Sequence, residues 1–253
     1  MSIVWTNPEL RFLYHERIIE YDIRSANTSL MNYYGLASED KISKLIEMKK
    51  EDREIAVGKM MRKSKEFALN LEKAFTDIVE AFLEENHLDR SEDIVSIKKD
   101  AVFVRNRSVR KTKFGEAVLF RPKGEYDGFL QLSKGKLEFY HQKDGHLDVK
   151  GISDELLPLH NEGVLDFISN VFAETKDWTG LQRYLKEYAK AYKERELVFD
   201  AYRQFDANSK FLVRMFEQDV LMDNIDDVTI QYTDISYNYL NIFLEVLKIV
   251  IGR

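Results

Sequence analysis

Ile18-Ile19-Glu20-Tyr21-Asp22-Ile23-Arg24-Ser25-Ala26-Asn27 and Ile94-Val95-Ser96-Ile97-Lys98-Lys99-Asp100-Ala101-Val102-Phe103-Val104 are the two stretches on which the fold turns. Each sets one aspartate at the edge of an apolar run rich in β-branched and aromatic residues, the composition of a strand. In the first the period then changes: Ala26, Leu30, Tyr33 and Tyr34 recur at helical spacing until Gly35, so Asp22 falls near a strand-to-helix switch. In the second, two four-residue apolar runs flank Lys98-Lys99-Asp100 and read as a β-hairpin, although Lys-Lys-Asp is not a favoured turn sequence. One carboxylate at a strand end and another at the tip of a neighbouring hairpin could together hold Mg²⁺ against phosphates.

Outward from these stretches, residues 10–23 read as one extended segment, and Ser38 caps a second helix. A long amphipathic helix is expected from about 52 to 85, with Phe67, Leu71, Ala74, Phe75, Ile78 and Phe82 on its apolar face. Asn86 to Ser91 breaks it. Residues 109–151 continue in strand-like pieces divided by the turn signals Pro122-Lys123-Gly124, Lys134-Gly135 and Lys143-Asp144-Gly145. Beyond Ser153 helical periodicity dominates, with helices expected near 161–173, 177–205, 208–221 and 234–251, the last capped by Thr233 or Asp234. The chain therefore reads as α+β, a mixed part over 1–152 with antiparallel strands and a helical part over 153–253. The final segment, Tyr237 to Ile251, is more apolar than a lone exposed helix tolerates and is expected to dock on the domain or on a protein partner.

Composition narrows the chemistry. With 38 Lys+Arg against 44 Asp+Glu the net charge is −6, which argues against coating nucleic acid through an overall positive field. Any polyanion must meet a local basic stretch, and one exists: Lys98, Lys99, Arg105, Arg107, Arg110, Lys111 and Lys113 stand against Asp100 alone between positions 98 and 113. The absence of cysteine excludes disulfides and thiolate metal sites, and the five histidines show no zinc-ligand spacing. No run reaches membrane-spanning length and the N-terminus lacks the pattern of a signal peptide, so a soluble, cytoplasmic chain without membrane contact is expected.

The order strand with Asp, helix, long basic helix, hairpin with Asp resembles the palm of template-directed DNA polymerases of families A and B. Tyr21 to Asn27 looks like their motif A, and Ile94 to Val104 looks like their motif C. Lys59, Lys63 and Phe67, four residues apart and so on one helix face, resemble the nucleotide-binding helix between those motifs. Lys136 to Tyr140 and His146 to Ile152 are similar to the strands that lead into the helical thumb of family B enzymes, so the resemblance covers residues 14–152 with the later helices in the thumb's place. It implies that Asp22 and Asp100 are catalytic carboxylates binding Mg²⁺, that Lys59, Lys63 and Phe67 hold a nucleotide, and that the basic block from Lys98 to Lys113 follows the nucleic-acid backbone.

The chain departs from that pattern at one telling place. Family B motif C carries two aspartates separated by one residue, and Lys98-Lys99-Asp100 keeps only one. Two functions follow. One is a small palm-type nucleotidyltransferase acting on nucleic acid; the other is a catalytically degenerate palm that binds nucleic acid or a replication or transcription partner.

Overall fold

The computed structural model describes residues 4–132, 137–151, 164–194, 196–197, 211–215, 218–222, 233–234 and 241–251. In chain order these form β1 (Val4–Thr6), β2 (Phe12–Ile23), α1 (Ala26–Tyr33), α2 (Glu39–Glu47), α3 (Lys50–Lys63), α4 (Lys65–Glu85), β3 (Ile94–Lys98), β4 (Ala101–Arg105), β5 (Lys113–Phe114), β6 (Val118–Leu132), β7 (Leu137–His141) and β8 (Leu147–Lys150). There follow α5 (Asp166–Glu174), α6 (Trp178–Glu194), β9 (Phe211–Met215), β10 (Gln218–Met222), β11 (Thr233–Asp234) and a last helix, α7 (Asn241–Ile251). The chain is α+β with antiparallel strands. It divides into two compact units, Met1–Glu9 with Arg17–Glu125 and Leu10–Glu16 with Tyr126–Arg253, so the long strands β2 and β6 each contribute to both.

In the first unit the strand order is β1-β3-β4-β2. The hairpin forms as its pattern requires: Lys98 pairs with Ala101, and Lys99 and Asp100 alone make the turn. Lys99 takes φ 58°, which lets so short a loop close without glycine. β4 then pairs antiparallel with β2, Asp22 opposite Ala101 and Tyr21 opposite Val102. Ile18, Ile19, Glu20 and Tyr21 are all buried, which is why this run shows no polar alternation. The apolar stripe of α4, Leu71, Phe75, Ile78 and Phe82, fills a cluster with Tyr21, Ile97, Val102 and Phe120. Phe82 stacks on Phe120 at 4.2 Å and meets Tyr21 at 5.7 Å.

The second unit pairs β6 with β7 and β7 with β8, and Gln131 N donates to Arg11 O at 2.9 Å to hold the start of β2 beside β6. Phe12, Phe139, Ile168, Phe172 and Leu181 are central to its core. Gly128, opposite His141, leaves the room that the Phe172 ring takes: a Cβ there would lie 2.7 Å from that ring.

Four expectations need correction. The helix foreseen over 52–85 is two helices, because Ser64 leaves the helical conformation (φ −136°, ψ 109°) and its side chain accepts a hydrogen bond from Phe67 N at 3.1 Å, capping α4. Pro122-Lys123-Gly124 is no turn but lies inside β6, in its exposed middle; proline fits a strand wherever its missing N–H is not needed by the ladder. Of the helix expected over 208–221, the described residues, 211–215 and 218–221, belong to the strand pair β9–β10, with Val213 opposite Val220 and Leu212 opposite Leu221, and tertiary pairing has overridden a weak local pattern; 208–210 and 216–217 lie outside the described residues. Thr233 and Asp234 pair with β9 as β11 instead of capping a helix.

The other C-terminal expectations stand in part. Helices occur at 166–174, 178–194 and 241–251, whereas 161–163, 195, 198–205 and 235–240, and the turn signal at Lys134-Gly135, lie outside the described residues. The apolar face of α7 buries Phe243, Val246 and Val250 in the core of its own unit, with Phe243 5.3 Å from Tyr188. Of the two outcomes expected for this segment, docking on its own unit is the one these residues show.

Two stability measurements check this packing. Ser64→Ala removes the α4 cap and is expected to cost about 1 kcal/mol, lowering Tm by roughly 2–4 °C in a thermal melt. Gly128→Ala presses a methyl group onto Phe172 and is expected to cost about 1–3 kcal/mol; an unchanged melt would contradict the close approach.

Candidate functional site

The two aspartates singled out by the sequence line one cleft, of about 380 Å³. Asp22 is the next-to-last residue of β2 and Asp100 completes the β3–β4 turn; β2–β4 pairing brings them to the same edge, where Ile23 N donates to Asp100 O at 3.0 Å. Burial raises the Asp100 pKa above its usual 3.8, the Asp22 charge raises it further, and Lys99 and Lys123 only partly offset this. Two residues before Asp22, and so on the same face of the strand, Glu20 is 2% exposed.

A lysine closes this acidic group. Lys123, on β6, places Nζ 3.1 Å from a Glu20 carboxylate oxygen and 3.3 Å from one of Asp22. The register follows from β6 starting alongside the end of β2, where Arg24 N donates to Leu119 O at 3.0 Å. Burial lowers the Lys123 pKa, but the bonds and charges of Glu20 and Asp22 outweigh it and the net shift is upward from 10.5. The ammonium is thus fixed in its charged form.

Around these groups the cleft is basic. Arg24, Lys50, Arg53, Lys99, Arg121 and Lys123 line it against Asp22, Glu54 and Asp100. Lys50 reaches Glu54 at 4.0 Å, and Lys99 lies over the Phe75 ring at 4.6 Å. Ser25 and Lys99, both in the lining, hold left-handed backbone at φ 50° and 58°, a conformation costing about 1–2 kcal/mol in a non-glycine residue. Ser25 precedes α1 yet gives it no side-chain cap, and Asn27 Oδ1, also in the lining, is buried with no hydrogen-bond partner. A fold that keeps strained backbone and an unsatisfied acceptor in one place has the marks of a binding site.

The remaining sequence candidates are placed elsewhere. The break at Ser64 splits the proposed nucleotide face: Lys59 and Lys63 are exposed on α3, Phe67 packs on the core from α4, and the cleft takes Lys50 and Arg53 from the start of α3 instead. Of the basic block only Lys99 reaches the cleft. Lys98 Nζ donates to Thr6 Oγ1 at 3.1 Å, Arg107 pairs with Asp93 at 3.4 Å, Lys111 lies over Phe114 at 6.0 Å and Lys113 pairs with Glu116 at 2.9 Å. Arg105 closes β4 at the end away from Asp100, roughly 17 Å along the strand, and Arg110 follows in the loop, its backbone N donating to Asn86 Oδ1 at 2.9 Å.

Glu20 and Asp22 share the Lys123 ammonium, and cations outnumber carboxylates in the lining.

Arg24, Arg121, Lys123, Lys50, Arg53 and Glu20 were not singled out by sequence. A signal existed for three of them: Glu20 and Asp22 share one strand face, as Arg121 and Lys123 share one face of another, so adjacent strands bring acid to base. Reading Pro122 as a turn hides it.

Comparison with known proteins fits this architecture. The structure of the family B DNA polymerase from the hyperthermophilic archaeon Pyrobaculum calidifontis is similar at a TM-score of 0.52 and 12% identity, over 98% of this chain and 46% of that one. At that identity the likeness is one of fold, and the chain spans about half of that polymerase's length. No curated protein sequence matches. Over residues 3–252 the chain matches the model of a phage family, and it belongs to that family, Bacteriophage PBS1 gene 130 protein.

Proposed function

We propose that this chain is a palm-fold protein that grips nucleic acid by its phosphates in the Asp22–Asp100 cleft and does not transfer nucleotides. The observation that carries the reading is charge: six basic side chains against three carboxylates line one cleft of a chain whose net charge is −6. Arg24, Arg53 and Arg121 have no carboxylate within ion-pair distance among the described residues, and guanidinium groups match phosphate oxygens two at a time. The unsatisfied Asn27 Oδ1 offers a place for a sugar hydroxyl or a base amine beside the phosphate. Fold likeness to a DNA polymerase supports a nucleic-acid ligand by analogy.

A second reading, a palm-type nucleotidyltransferase with Asp22 and Asp100 on Mg²⁺ and with Lys59, Lys63 and Phe67 on the nucleotide, is favoured by one observation, that both aspartates line the same cleft. Primer extension and gel retardation on the same preparations separate the two. The chain is expected to retard labelled single strands and to add no nucleotide with Mg²⁺ or Mn²⁺. Arg53→Ala with Arg121→Ala is expected to weaken retardation roughly tenfold and to flatten log K against log salt by about 0.7 for each phosphate that is no longer neutralised. Extension that Asp22→Asn abolishes would establish the second reading, and neither extension nor retardation would remove both.

Asp100 yields a pH prediction. Its folded pKa lies above the ordinary 3.8, so its ionisation opposes folding; the cost is absent below about pH 3.8 and complete above the folded pKa. Asp100→Asn is expected to raise Tm near pH 7, with the gain shrinking as the pH falls below the folded pKa toward 3.8. A gain independent of pH would contradict it.

A further inference from the structure

Charge neutralisation in the cleft does not wait for a ligand. Glu20 is buried and Asp22 opens onto the cleft, and both meet the Lys123 ammonium, at 3.1 and 3.3 Å. Lys123 is anchored by the β6 backbone, and its side chain is 50% exposed, so the same ammonium has donors left over toward the cleft. A dication approaching Asp22 meets that fixed positive charge at short range, with Arg24 and Arg121 also in the lining. A phosphate meets the opposite field.

We infer that Lys123 is a built-in cation that takes the place of a divalent metal in this cleft, so that phosphate-bearing nucleic acid binds there without metal and the cleft rejects Mg²⁺ and Mn²⁺. The inference rests on the proposed function for its ligand, but its metal half stands on the Lys123 geometry alone. It also gives the substitution that reverses it. Replacing Lys123 by an uncharged side chain of similar length removes the cation paired with Asp22 and leaves Asp22 and Asp100 facing a space that can take a cation.

The test has two arms on the full chain. In the first, retardation of a labelled single-stranded oligonucleotide is compared with excess EDTA and with Mg²⁺; equal binding supports the inference, and loss of binding in EDTA overturns it. In the second, Mn²⁺ binding is followed by the loss of the free-ion electron paramagnetic resonance signal. The native chain is expected to take up no stoichiometric Mn²⁺, and Lys123→Met to bind one equivalent at least roughly tenfold more tightly than the native chain. Because Lys123→Met leaves the Glu20 charge buried, Glu20→Gln with Lys123→Met carries the arm if the single variant does not fold. Native uptake of one Mn²⁺ that Asp22→Asn removes, or no gain in a folded variant, overturns the inference. A chain that retards no oligonucleotide but still gains Mn²⁺ on losing Lys123 counts against the proposed function and supports the metal half of this one.

Discussion

The ammonium of Lys123, held between Glu20 and Asp22, is the interaction on which the site depends. A carboxylate as buried as Glu20 is tolerated only with charge and hydrogen bonds around it, and a strand interior is a costly place to leave it otherwise. By meeting that need from β6, Lys123 ties the acidic end of β2 to the strand beside it. It also adds to the positive side of the cleft, where five further cations face three carboxylates.

What places Asp22 and Asp100 together is strand pairing and the apolar cluster behind it, Tyr21, Ile97, Val102, Phe82 and Phe120, none of which depends on a metal. Arg24 and Arg121, exposed at the edge, stand outside that core. Lys98, beside the turn, reaches Thr6 and pairs across to β1.

The sequence was most legible where one local pattern decided one local structure. The hairpin at 94–104, the strand-to-helix switch at Asp22 and the α+β class followed from apolar runs and a change of period, and the structure has them. It was least legible where a single residue acted against its surroundings. Ser64 interrupts a continuous helical pattern because its hydroxyl oxygen can cap the next turn, and Pro122 sits in a strand despite the turn-like composition around it. The strands at 211–222 depend on pairing with each other, which no window of local periodicity records. For the site, the aspartates were visible as motif residues, whereas Arg53, Arg121 and Lys123 come from distant elements and become neighbours only when the chain folds.

The most direct measurement is a crystal structure of the native chain soaked in Mn²⁺, with anomalous density recorded at the cleft. The account predicts Lys123 Nζ within hydrogen-bonding distance of both Glu20 and Asp22, and no manganese peak between Asp22 and Asp100. A manganese ion bridging those two aspartates, with Lys123 swung away, would contradict it.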